Sequence, residues 1–285
     1  MVITKLIGGL GNQMFQFALG RKLSLKLSSD LKLDTSGFEV YKLHDYGMHC
    51  FDLEKFTNTC ITPANSPLYR KINWFLPAEF HLGYKHVLEK CFSFDKQVLK
   101  LRGDLYLDGY WQSEKYFKEI RSTLLSDFTI KYTPDMQNVE TSAKIKSCEA
   151  ISLHIRRGDY VNNAQTLEKH GVCDLDYYYR AIDYVSKKIS SPSFFVFSDD
   201  PDWAKENLKI NYPITFIVNN NASKNYEDLR LMSQCKHNII ANSSFSWWGA
   251  WLNENPDKIV IGPKHWFNDT SIDTTDLIPE RWLSL

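Results

Sequence analysis

Apolar positions in the second half of the chain switch repeatedly between a spacing of two and a spacing near 3.6. Strands and amphipathic helices alternate in this way around a parallel sheet. Five strands are predicted, over 150–155, 193–198, 214–219, 237–241 and 258–262. The clearest helix covers 177–189, where Tyr178, Ala181, Ile182, Val185 and Ile189 fall at i, i+3, i+4, i+7 and i+11. Asp176 is its expected N-cap, and shorter helices are predicted over 202–208, 226–235 and 245–253.

The first half opens as a strand over 2–7, a glycine loop, a helix over 14–27 and a second strand at Leu31–Asp34, one βαβ unit. From 35 to about 113 the pattern weakens, with prolines at 63, 67 and 77, so short helices and loops are expected there. Such a region suits a variable specificity surface. The polar stretch 132–147, with Pro134 and few apolar residues, reads as the boundary between domains 1–146 and 147–285. The fold class is therefore α/β, with two domains.

Composition narrows the function. In 285 residues, 43% hydrophobic and 14% aromatic content suffices to fill two cores. The 34 basic residues balance 34 acidic ones, so no overall field draws the chain to nucleic acid or to an anionic membrane, and any phosphate site must be local. Cys50, Cys60, Cys91, Cys148, Cys173 and Cys235 are widely spread with no C-x-x-C pair, which indicates neither zinc nor a disulfide framework. Reduced thiols suit a cytoplasmic protein. The apolar run 2–7 is only a strand's length, so no signal peptide or transmembrane segment is expected.

The candidate chemistry lies where predicted strands end, because an open α/β sheet binds its ligand at the carboxyl ends of its strands. His154-Ile155-Arg156-Arg157-Gly158-Asp159-Tyr160 places two guanidiniums there. Guanidinium matches phosphate oxygens bidentately and keeps its charge, although a surface Arg–Asp pair is an equally simple reading. In Gly8-Gly9-Leu10-Gly11-Asn12-Gln13 the backbone at Gly9 and Gly11 can approach an anion at the start of a helix. Asn12 could donate to a phosphate or accept from a sugar hydroxyl. A dinucleotide reading competes, since Asp34 lies near the distance of a ribose-binding acid, but Met14 stands where the third glycine belongs. Asp199 and Asp200 could hold ribose hydroxyls, a guanine edge or magnesium, or one could cap a helix. Asn242, Ser243, Ser244, Phe245 and Ser246 begin a helix whose hydroxyls and free amides suit a diphosphate, with a serine also placed to cap. Trp247 and Trp248 read as core. Asp174-Leu175-Asp176 and Asp200-Pro201-Asp202 match D-x-D, yet helix capping explains both, so no metal ligand is assigned. His44, His49, His81 and His86 lack an H-E-x-x-H pattern and are assigned to packing or acceptor contacts.

Together the motifs at 8–16, 154–160, 197–200 and 243–248, with Gly109-Tyr110-Trp111-Gln112-Ser113-Glu114-Lys115-Tyr116-Phe117, resemble the bacterial α-1,2-fucosyltransferases of glycosyltransferase family 11. The resemblance implies a GT-B-like architecture, two facing Rossmann-type domains with a cleft between them. It implies GDP-β-L-fucose as donor, no required cofactor or metal, and inverting transfer to the 2-hydroxyl of a terminal galactoside glycan. A lipid-linked acceptor would add peripheral contact with the inner membrane. By similarity to α-1,6 and protein O-fucosyltransferases, Arg156 and Asn12 contact the donor phosphates, with Arg157 and the backbone of Gly9 and Gly11 nearby. His154 with Asp199 or Asp200 then faces the nucleoside, and residues 242–246 hold phosphates. Asp159 is the first candidate for the general base, with a salt bridge to Arg157 as its other reading. Two rival functions are an NAD-dependent oxidoreductase, from the glycine loop and Asp34, and a non-catalytic carbohydrate-binding protein, from eight tryptophans and fifteen tyrosines.

Overall fold

The computed structural model describes residues 1–40, 43–56, 72, 83–158, 167–168 and 171–285. The chain forms two compact units, Met1–Lys131 with Asp273–Leu277, and Tyr132–Ile272 with Ile278–Leu285.

The first unit holds strands β1 (Val2–Lys5), β2 (Leu31–Asp34), β3 (Lys85–Leu88) and β4 (Leu105–Asp108), all parallel in the order β2-β1-β4-β3. Helix α1 (Leu10–Leu27) connects β1 to β2 and buries Met14, Phe15, Phe17, Ala18, Leu19 and Leu23. It begins four residues before the expected start at 14, so Gly11, Asn12 and Gln13 form its first turn rather than a loop. The short helices expected in this region are present at Ser36–Glu39, Met48–Cys50, Glu54–Phe56 and Val98–Lys100, and to these are added strands β3 and β4. Each has only four residues, and β3 is mostly exposed, so neither leaves an alternating pattern. Helix α2 (Arg121–Asp127) follows. The returning segment Asp273–Leu277 is fastened by Asp276, whose carboxylate accepts from Phe94 N–H at 2.9 Å and pairs with Lys115 at 2.6 Å.

The second unit is a six-stranded parallel sheet of β5 (Glu149–Ile155), β6 (Pro192–Ser198), β7 (Ile214–Ile217), β8 (His237–Ile239), β9 (Val260–Gly262) and β10 (Leu283–Ser284). Its order is β10-β9-β8-β5-β6-β7, the doubly wound arrangement in which chain order reverses between β5 and β8. Helices α3 (Met136–Lys146), α4 (Leu175–Ser186), α5 (Pro201–Asn207), α6 (Asn225–Gln234) and α7 (Ser244–Leu252) complete it. Alternation along the strands fills both faces. Ile151, Leu153, Ile155, Phe194 and Val196 pack with Tyr177, Tyr178, Ala181, Ile182 and Val185 of α4, whereas Ala150, Phe195 and Phe197 pack with Leu231 and Met232 of α6. Burial on both faces is what a parallel sheet requires.

The division falls at Lys131/Tyr132 rather than at 146/147, because α3 lies in the polar boundary stretch and packs into the second core through Ile145. The N-cap of α4 is Asp174, which accepts from Tyr177 N–H at 2.8 Å, not Asp176. Trp247 and Trp248 are both fully buried, in edge-on contact at 5.1 Å.

Candidate functional site

In the second unit, the carboxyl ends of β5 and β8 lie side by side where the strand order reverses, the place such sheets bind ligands. His154, near the end of β5, is 4% exposed and its Nδ1 has no hydrogen-bond partner. Burial pushes its pKa down to about 4; the nearby Asp199 carboxylate opposes that fall and Arg156 adds to it. The imidazole is therefore neutral near pH 7. Arg156 Nη1 lies 3.2 Å from Asp199 Oδ2, and Arg157 N–H donates to Asp199 Oδ1 at 2.8 Å. One carboxylate thus clamps the loop after β5 and aims Arg156. Arg157 differs, since its guanidinium lies over the Trp203 ring at 3.8 Å. Asp200 caps α5 by accepting from Trp203 N–H at 3.3 Å.

The chain leaving β8 enters α7 through Ser243, an extended N-cap whose side chain makes no capping bond. Ser243 C=O accepts from Trp247 N–H at 3.0 Å and from Ser246 Oγ at 3.3 Å. The amides of Ser244, Phe245 and Ser246 precede the first intrahelical donor and point out of the helix end. The Phe245 ring lies 6.0 Å from that of His154. The side chain of Asn242 serves as a brace: Nδ2 donates to Gly171 O and Trp266 O, each at 3.2 Å, and Oδ1 accepts from Cys173 Sγ at 3.6 Å.

The first unit repeats the device. Helix α1 starts at Gly9, again without a side-chain cap. Gly8 has φ +82°, and a Cβ there would sit 2.6 Å from Asn12 Nδ2, so glycine is required on both counts. Gln13 is fully buried and braces the neighbouring loop, donating to Gly8 O at 2.7 Å and Asp45 O at 3.0 Å and accepting from Gly47 N–H at 2.9 Å. Asn12 is only partly covered, and its Oδ1 accepts from Gln112 Nε2 at 2.7 Å. Gln112 was missed as a site residue. The signal was its place just after β4, the strand beside β1 where this sheet reverses.

Among described helices longer than seven residues, α1 and α7 alone have neither a capping side chain nor an acid in the first turn. Asp135 caps α3, Asp174 caps α4, and α6 carries Glu227 and Asp228. The positive end of a helix dipole left open in this way favours an anion. The acid needed by a dinucleotide reading is already engaged, because Asp34 accepts from Ser36 N–H and Oγ and from Tyr106 OH at 2.6 Å. The D-x-D matches resolve into the caps Asp174 and Asp200 and the surface pairs Asp176–Arg180 and Asp202–Lys205. His49 Nδ1 lies 2.9 Å from Tyr46 O and His86 Nε2 lies 3.3 Å from Asp108, while the His44 ring stands beside Gly9. Asp159 and His81 lie outside the described residues. No described helix is long and apolar enough to cross a membrane.

Each unit carries a Rossmann-type parallel sheet with an anion-ready helix at its reversal point, the elements of a glycosyltransferase of GT-B-like fold, a class the comparisons bear out. Residues 1–285 match the family described as Glycosyl transferase family 11, and the chain belongs to that family. It is 37% identical to an α-1,2-colitosyltransferase of Escherichia coli, over 100% of this chain and 99% of that one. It is 35% identical to the O-antigen biosynthesis glycosyltransferase WbnK of Escherichia coli, over 98% and 99%. The fold is that of the fucosyltransferase NodZ from Bradyrhizobium, with a TM-score of 0.52 at 12% identity, covering 87% of this chain and 91% of that one.

Proposed function

We propose that this family 11 enzyme moves L-fucose from GDP-β-L-fucose to the 2-hydroxyl of a terminal galactoside, with inversion to an α-1,2 linkage and without a metal or other cofactor. The observation that carries the reading is the open N-terminus of α7, whose Phe245 ring lies 6.0 Å from that of His154, a neutral imidazole with no hydrogen-bond partner at Nδ1, with Arg156 two residues further along the chain. In direct displacement, charge grows on the departing β-phosphate while the sugar becomes oxocarbenium-like, so donors aimed at the leaving oxygens gain strength in the transition state. Arg156 and the amides of residues 244–246 supply them. His154 faces the nucleoside, and Asn12 donates to a phosphate oxygen. Asp159 is the proposed base that takes the acceptor hydroxyl's proton. An O-antigen glycan suits the acceptor, in keeping with the relative WbnK, and the proposed place of reaction is the cytoplasm, at the inner membrane where such a glycan is lipid-linked.

A second reading, transfer of colitose, is favoured by the 37% identical colitosyltransferase. Colitose is L-fucose without its 3-hydroxyl. A site that hydrogen-bonds that hydroxyl rejects the deoxy sugar strongly, whereas a site that does not cannot tell them apart well. Turnover is therefore measured with GDP-fucose and GDP-colitose on a panel of galactosides, with and without chelator. The expected result is α-1,2-fucosylated product in both conditions. Turnover of GDP-colitose alone would establish the second reading, and loss with chelator restored by manganese would overturn metal independence.

A further inference from the structure

The chain after β4 is held in a conformation its residues disfavour. Trp111 has φ +58°, a left-handed backbone that a bulky L-residue adopts only where its surroundings over-determine it. Glu89 supplies that constraint. Its Oε2 accepts from Tyr110 N–H at 2.7 Å and its Oε1 from Trp111 N–H at 2.8 Å. Residue 109 is glycine because a Cβ there would sit 2.4 Å from Glu89 Cβ. The Trp111 ring is 1% exposed and packs edge-on to Tyr116 at 5.8 Å. The outcome of this constraint is the position of the next residue. Gln112, 7% exposed, reaches across 100 positions of sequence to donate its Nε2 to Asn12 Oδ1 at 2.7 Å.

An asparagine amide has an accepting and a donating face. With Oδ1 engaged, the face left to Asn12 is Nδ2, which has no partner among the described residues, at the positive end of α1. We propose that Gln112 is a positioning residue: by donating to Asn12 Oδ1 it sets the sense of that amide, so that Asn12 meets the donor's phosphate as a hydrogen-bond donor. This rests on the reading of Asn12 as a phosphate ligand. A phosphate oxygen accepts and repels a carbonyl, so the sense of the amide decides whether Asn12 helps or hinders.

The test uses the full chain with Gln112→Glu, Gln112→Met, Asn12→Ala and the double variant Asn12→Ala/Gln112→Glu. GDP affinity, turnover and melting temperature are measured from pH 8 to pH 5. At pH 8 a carboxylate at 112 only accepts, which turns Nδ2 of Asn12 toward it and Oδ1 toward the phosphate. Gln112→Glu is expected to lose roughly 10- to 100-fold in GDP affinity, the scale of a hydrogen bond to a charged group. Gln112→Met leaves the amide free to choose its sense and loses only severalfold. As the pH falls, the Glu variant recovers toward wild type, because a protonated carboxyl donates as glutamine does, while the Met variant does not. In the Asn12→Ala background the Glu substitution adds little, which separates the effect from direct charge repulsion. Equal losses for Glu and Met at every pH, or a full Glu effect without Asn12, overturn the positioning role alone. Wild-type GDP affinity and turnover in Asn12→Ala would instead remove Asn12 as a phosphate ligand, and the proposal with it.

Discussion

The two sheet-reversal points are built alike in backbone and differently in charge. In each, a parallel strand runs into a helix whose first turn carries no cap and no acid. Around α1 the side chains that meet the first turn are neutral amides, Gln112 donating to Asn12 and Gln13 holding Gly8 and Gly47, while the charged groups Glu89 and the Lys5–Asp108 pair serve the strand ends behind them. Around α7 the support is ionic, with Asp199 joining Arg156 to the loop after β5, beside a buried histidine. Neutral amides orient a ligand, whereas a guanidinium also answers charge that appears during reaction. Under the proposed function, the contrast gives stabilisation of the leaving group to the second unit and orientation to the first.

The largest effect expected is at Arg156. Lysine keeps the charge but loses the planar fork, so Arg156→Lys should behave nearly as badly as Arg156→Ala, each lowering turnover by about 10²- to 10³-fold with melting temperature little changed. Turnover at saturating donor and acceptor checks it, and a well-folded Arg156→Lys enzyme at wild-type turnover would place the leaving-group role elsewhere. Arg157 sharpens the comparison. Its guanidinium face is taken by Trp203, so Arg157→Lys should lower turnover only by roughly two- to fivefold, the scale of a cation–π contact. A larger loss at Arg157 than at Arg156 would invert the assignment.

A smaller effect concerns stability. In the folded chain His154 stays neutral down to about pH 4, while in the unfolded chain it binds a proton near pH 6.5. Between those values the unfolded state holds more protons, so His154 makes stability fall as pH falls from about 6.5 to 4, by at most about 1.4 kcal/mol per pH unit. Asp228, which burial raises to about 7, acts with the opposite sign over the same range. The difference between wild type and His154→Gln isolates the histidine. The variant's melting temperature should drop less on acidification, and parallel curves would show that the imidazole is not held neutral.

Much of the second site was legible because its strands are continuous apolar runs, 150–155 and 193–198, that lead directly into the arginine and aspartate motifs. The observed β5 and β6 differ from those ranges by one residue at their starts. The first site was only half legible. Two glycines disguised the first turn of α1 as a loop, and the four-residue β4 sits in a stretch without clear period, so Gln112 had no strand to be placed after. Its bond to Asn12 joins residues far apart in sequence, which no local pattern reports. Helix α3 escaped because only Asn138 and Ile145 of its eleven residues are buried. The choice between fucose and colitose turns on one hydroxyl of the donor, and no motif spells out a contact of that size.

The central claim is that the open N-terminus of α7 holds the donor's diphosphate. GDP binding to Ser244→Asp tests it most directly, because an acid in a helix's first turn favours the helix by about 0.3–1 kcal/mol while repelling an anion. The account predicts a melting temperature equal to or above wild type together with a loss of GDP affinity of roughly 10-fold or more, the acid stabilising the helix end and repelling the diphosphate there. Wild-type GDP affinity in a well-folded Ser244→Asp protein would contradict it.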